Sequence, residues 1–229
     1  MEKGSNARYG AATGILAVIL ILVGFFMFSS DIPDADAPAQ QWQSFFVDHQ
    51  DRIQTGLTLV GVGLFFFVWF LGSLRDAIAG AEGGGARLAS IAHGGGLVAT
   101  SALVAGLTGY LAAAFHPQGV DPGVTRALSD FGTLAAAPAA AGFTALFAAA
   151  SVAGYRHGAL PAPVAGISAL AAIGQLFAYP TGVTDSGALA PDGVLGLFVP
   201  FVTFVVGLLA ISGTLASRAG EGMGAAASR

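Results

Sequence analysis

Cysteine is absent from the chain, which excludes disulfides, thiolate nucleophiles, iron–sulfur clusters and thiolate zinc sites. Lysine is almost absent too. Lys3 is the only one and precedes every apolar run, so a phosphate-binding GxxxxGK loop or a Schiff-base lysine within a membrane has no residue to build it. Charge of either sign is scarce: 10% of the 229 residues are charged, whereas a water-facing domain carries about 25%. A net charge of −4 leaves no basic surface for nucleic acid. What fills the chain instead is 55% hydrophobic residues and 34 glycines, with a mean hydropathy of +0.74. That composition belongs to a membrane protein.

Crossing about 30 Å of hydrocarbon takes a helix of about 20 apolar residues. Six charge-free runs meet the requirement: residues 9–30 (22 residues), 53–74 (22), 88–120 (33), 131–155 (25), 157–184 (28) and 193–217 (25). Lipid leaves the backbone of such runs no partner outside the helix, so the sequence predicts an all-α, polytopic bundle of six transmembrane helices. Their expected bounds are about 9–29, 53–79, 87–115, 122–155, 161–179 and 193–217, with an interfacial helix over about 39–52. With the N-terminus cytoplasmic, the inner segments hold Lys3, Arg8, Arg75, Arg87, Arg156, Arg218 and Arg229 and the outer ones only Arg52 and Arg126. This seven-to-two bias predicts that both termini are cytoplasmic and that Asp34, Asp121 and Asp185 face outside. The small-x-small pattern Ala35-Asp36-Ala37 mimics a signal-peptidase site, but the preceding apolar stretch is too long for a signal sequence and Pro38 would follow the cut, so helix one is expected to be retained.

Local signals refine the helices. Gly10 and Gly14 are spaced to admit a close neighbour in helix one. Trp42, Phe45, Phe46 and His49 fall at i, i+3, i+4 and i+7, which places them on one side of the short interfacial helix. Phe65 to Phe70 carry aromatics all round helix two, so some face lipid. Asp121-Pro122 reads as N-cap and first residue of helix four, with a kink expected at Pro138.

No GxSxG, HExxH or other enzyme signature is present, so no catalytic residue is assigned and a non-enzymatic protein is expected. Candidate sites come from polar groups that a membrane makes costly. Asp130, one turn from Arg126, is either a proton or cation site or an interfacial ion pair. Tyr110, Gln175 and Tyr179 either line a small outer cavity or join helices by hydrogen bonds, and His116 lies at the same end. His93-Gly94-Gly95-Gly96 either breaks helix three, exposing backbone groups to an ion or lipid phosphate, or packs tightly within it. The four histidines divide into His49 with His116 outside and His93 with His157 inside, which raises bis-histidine haem as one reading. His93 and His116 lie 23 residues apart, about 35 Å along a helix, which puts both near the surfaces. No cofactor and no metal is therefore expected, and zinc on His49, His116 and an aspartate has no known ligand spacing.

Phe67-Val68-Trp69-Phe70-Leu71-Gly72-Ser73-Leu74-Arg75, Ala81-Glu82-Gly83 and Arg87-Leu88, together with Asp31-Ile32-Pro33-Asp34 and Asp48-His49-Gln50-Asp51-Arg52-Ile53, resemble a family of small polytopic membrane proteins from high-GC actinobacteria. The resemblance spans about the first half of the chain. It implies six helices in a bacterial plasma membrane and transfers no functional residue. The expected role is a subunit or accessory of a larger envelope assembly, in contact with membrane lipids and with other membrane subunits or further copies of itself. The alternatives are a small transporter or lipid-binding protein using an outer-leaflet cavity near Asp130, and a haem electron carrier.

Overall fold

The computed structural model describes the backbone of residues 2–227 and the surroundings of residue 10 and residues 12–218; the side chains of Lys3, Arg8 and Arg229 lie outside it. The described chain is helical without a strand: α1 (Glu2–Ser29), α2 (Ala39–Asp48), α3 (Gln50–Ala81), α4 (Arg87–Phe115), α5 (Pro122–Leu134), α6 (Ala136–His157), α7 (Ala162–Gln175) and α8 (Val199–Ala227). Counting α5–α6 as one path, and joining the helical turns beside α7 and α8 to those helices, six segments are long and apolar enough to cross a membrane. Such a chain is a multi-pass membrane protein.

Four places differ from the sequence expectation. The interfacial helix stops at Asp48, and α3 begins at Gln50 because His49, with φ −125° and ψ 22°, turns the chain between them. The fourth path is two helices, broken at Ala135 rather than kinked at Pro138. Proline has no N–H for the Leu134 carbonyl and its ring crowds that oxygen, so the disturbance falls one turn before the proline. Helix α6 then restarts with the Ala139 N–H on the Ala135 carbonyl at 3.2 Å. The fifth path leaves α-geometry at Gln175 and continues as a tighter helix over Leu176–Gly182, and the sixth opens with a wide turn over Val194–Phe198 before α8. At the start of α5 the Asp121 carboxylate accepts from the Gly123 N–H at 2.8 Å with Pro122 as first residue, as the sequence predicts.

The six paths close into a ring in the order α3, α1, α8, α7, α6, α4 and back to α3. Within lipid no hydrophobic force draws helices together, so close packing must do it, and small residues make the approaches possible. Gly24 and Gly56 face each other where α1 crosses α3; a Cβ on Gly56 would lie 2.7 Å from the Gly24 carbonyl oxygen. Gly10 and Gly14 behave as predicted, the first against Ser73 of α3 and the second against Phe70 and against Ser212 of α8. Gly95 of α4 meets Gly142 of α6 in the same way, at 2.6 Å. Helix α4 runs unbroken through His93 to Gly96; Gly95 packs against α6 and Gly96 against Leu71 and Leu146, while Gly94 faces away with no neighbour within 4 Å of a Cβ. Phe26, Phe65, Trp69 and Val98 point away from the ring, while Phe67 and Phe70 are fully buried inside it.

One end of the ring carries α2, the α4–α5 connection and the α7–α8 loop; it is called the α2 end here. The opposite end carries the turn Glu82–Ala86, where Gly83 and Gly84 adopt φ of +65° and +109° and Ala86 +46°. This reversal brings the Glu82 carboxylate onto the N-terminus of α4, where it accepts from the Leu88 and Ala89 N–H groups, both at 2.9 Å. Burial alone would raise the Glu82 pKa, but those two backbone donors and the nearby His157 outweigh it and hold the carboxyl below its ordinary range.

Candidate functional site

The interior of the ring is filled unevenly. Midway along it Phe67 of α3, Phe143 and Phe147 of α6 and Phe204 of α8 form one aromatic cluster, with Phe143 and Phe204 centroids 4.7 Å apart. Towards the α2 end the helices diverge around a cavity of about 290 Å³. Phe143 and Phe204 form its floor; Ile21, Phe25 and Phe28 of α1, Leu57, Val60 and Leu64 of α3, and Leu103, Leu107 and Tyr110 of α4 line its sides. The region around Ala135 supplies a further wall through Gly132, Thr133, Ala135, Ala136 and Ala139, and the α7–α8 side closes it with residues such as Gln175, Asp192 and Phe201.

Few polar groups reach the cavity, and most are already satisfied. The Tyr110 hydroxyl lies 2.5 Å from the Thr133 hydroxyl, and the Tyr110 ring covers Gly132, where a Cβ would sit 2.5 Å from it. Gln175 donates to the Pro200 carbonyl at 2.8 Å and Thr181 to the Ala178 carbonyl at 2.6 Å. Trp42, 3% exposed, also lines the cavity, but its indole N–H is buried away from that space and has no acceptor. A pocket of this kind, apolar with a few polar groups, suits a hydrophobic molecule, and its volume lies near the lower end of the range of roughly 300–1,000 Å³ typical of ligand sites.

The roof over the cavity is the segment Ser30–Pro38 together with α2. The α2 helix is amphipathic, and its Trp42, Phe45 and Phe46 pack onto Phe28, Tyr110, Ile53 and Leu57 at the end of the ring. The roof is tied down from two sides. From α5, Arg126 donates to the carbonyls of Ala35 and Ala37, pairs with Asp130 at 2.8 Å, and sits 5.8 Å from the centre of the Trp42 ring. From the α7–α8 loop, the Asp192 carboxylate accepts from the Ala35 N–H at 2.9 Å. A third tie holds the start of the roof, where Arg52 binds Asp31 at 3.1 Å and also the Ser30 carbonyl.

The sequence candidates thus separate. Tyr110 and Gln175 both line the cavity and bond between segments, so the two readings of them coincide. Tyr179 is 44% exposed and lies outside the cavity: the tight turns after Gln175 rotate it off the inward face. Asp130 pairs with Arg126 at 2.8 Å, and Arg126 in turn holds the Ala35 and Ala37 carbonyls of the roof. His116 ends α4 with its ring against Phe115, and His49 ends α2 with its ring against Phe45. Among the described residues no three His, Asp or Glu side chains converge as metal ligands. Sequence reading missed the roof ties of Asp192 and the role of Trp42, since nothing local marks either.

The chain matches no protein-family model, no curated protein and no solved structure.

Proposed function

We propose that this chain is a non-enzymatic membrane protein that binds an apolar membrane molecule in the cavity at the α2 end, either to carry it or to present it to a partner. The observation that carries the reading is the cavity itself: it lies within the ring, is lined mainly by apolar side chains, and is roofed by a segment that specific polar ties hold in place. Interiors normally pack to about the density of organic crystals, so an unfilled space of this size has a cost in lost contacts that an occupant would recover. Substituting Ala136, which lines the cavity, with phenylalanine should obstruct it while leaving the helix contacts behind it unchanged. Protein purified in mild detergent and extracted with organic solvent is expected to release one apolar species in near-stoichiometric amount, and Ala136→Phe should lower it about tenfold at an unchanged melting temperature. Equal amounts from both proteins, or none from either, would overturn the binding role. A second chain co-eluting in fixed ratio would then favour the role of an assembly subunit.

The reading places the α2 end outside a bacterial plasma membrane and both termini in the cytoplasm. Its support is the arginine distribution: Arg75, Arg87, Arg156 and Arg218 belong to the end opposite α2, against Arg52 and Arg126 at the α2 end. The cysteine-free chain makes the check direct. An impermeant maleimide added to intact cells should label Asp34→Cys and spare Gly84→Cys; labelling of Gly84→Cys alone would reverse the orientation.

A further inference from the structure

The charges around the roof discriminate among the amphiphiles that this cavity could take. Two arginines stand at the α2 end, and both are engaged: Arg52 by Asp31 and the Ser30 carbonyl, Arg126 by Asp130 and the carbonyls of Ala35 and Ala37. Asp34, Asp36 and Asp192 have no cationic side-chain partner among the described residues, and Asp192 lies in the cavity wall itself. With both arginines paired, the net charge at this rim is negative, and a cleft with low-dielectric walls focuses that field, so a negative head group meets net repulsion.

We infer that the cavity takes an amphiphile whose head carries no negative charge, its apolar body lying between Phe28, Leu107 and Phe204 and its head beside Asp192, and that it rejects the anionic counterpart. The inference rests on the binding role proposed above and specifies its ligand class. The occupant is thus a neutral- or cation-headed molecule of the membrane, and anionic phospholipids and detergents are disfavoured by charge.

Two nitroxide-labelled probes with the same alkyl chain test this, one ending in a hydroxyl and one in a sulfate. The chain has two tryptophans, Trp42 and Trp69. In Trp69→Phe protein, Trp42 alone reports quenching from the cavity; in Trp42→Phe protein, Trp69, which is 61% exposed on the outside of the ring, reports partition into the surrounding detergent. After correction for that partition, the alcohol is expected to quench Trp42 saturably at a concentration about tenfold lower than the sulfate. The gap should narrow in Asp192→Asn, which keeps an oxygen for the Ala35 N–H. It should also narrow in the unmutated cavity as ionic strength rises from about 0.01 M to about 1 M, which shortens the screening length from roughly 30 Å to 3 Å. Sulfate binding as tightly as the alcohol, with both abolished by Ala136→Phe, would overturn the inference and leave the binding role standing. Quenching that never saturates, or that survives Ala136→Phe, would overturn both.

Discussion

Gly142→Leu is expected to prevent the protein from folding into a monodisperse particle in mild detergent. At this point α6 meets α4 backbone to backbone: a Cβ on Gly142 would strike the Gly95 carbonyl oxygen and lie 2.5 Å from the Ala99 nitrogen. Neither group can swing aside as a side chain would, so the helices must part. Overpacking by a methyl group or two costs about 1–3 kcal/mol when neighbours can adjust. Here they cannot, and the separated surfaces regain nothing in lipid, where packing is the main force of association. Gly142→Ala should already lower the melting temperature. Gly94→Leu is the control, because no atom lies within 4 Å of a Cβ at Gly94 and the side chain would point away from the ring. Size-exclusion profiles and thermal melts of the three variants decide the matter; a Gly142→Leu protein that melts like the wild type would disprove the close crossing of α4 and α6.

Arg126→Met is expected to loosen the roof, with a destabilisation of about 2–4 kcal/mol from the loss of charge-assisted hydrogen bonds to two backbone carbonyls. The side chain of Arg126 is 25% exposed, so water replaces its bonds only in part. Asp130→Asn should behave differently. Its carboxylate is 47% exposed and contributes one contact to Arg126, whose bonds to Ala35 and Ala37 survive, so the loss should be about 1 kcal/mol or less. The roof is also where the difference can be read directly. In a Trp69→Phe background, Arg126→Met should shift Trp42 emission to the red and make the Ser30–Pro38 segment sensitive to protease, while Asp130→Asn should do neither. Equal effects from the two variants would show that the ion pair, and not the bonds to the backbone, holds the roof.

Much of the architecture was legible in the sequence because it depends on local quantities. Six charge-free runs long enough to span hydrocarbon, the cap formed by Asp121 and Pro122, the inward face of α2 and the close approaches at Gly10 and Gly14 follow from run length, periodicity and residue size within a few neighbouring positions. Proline at position 138 announced a disturbance of the fourth path, though its placement at Ala135 depends on which carbonyl the missing N–H leaves free. The Arg126–Asp130 pair was visible too, as two charges one helical turn apart. Its purpose was not. The partners that give Arg126 its role lie 89 and 91 residues away, and the Asp192 tie to Ala35 spans 157 residues. Backbone carbonyls and N–H groups carry no sequence signature, so no pattern could have foretold these bonds. The order of helices around the ring, and therefore the cavity, likewise belongs to the tertiary structure alone: apolar composition says that a helix enters lipid, but every one of the six is apolar, and only the fit of particular glycines against particular backbones decides which neighbours meet and where they leave a space.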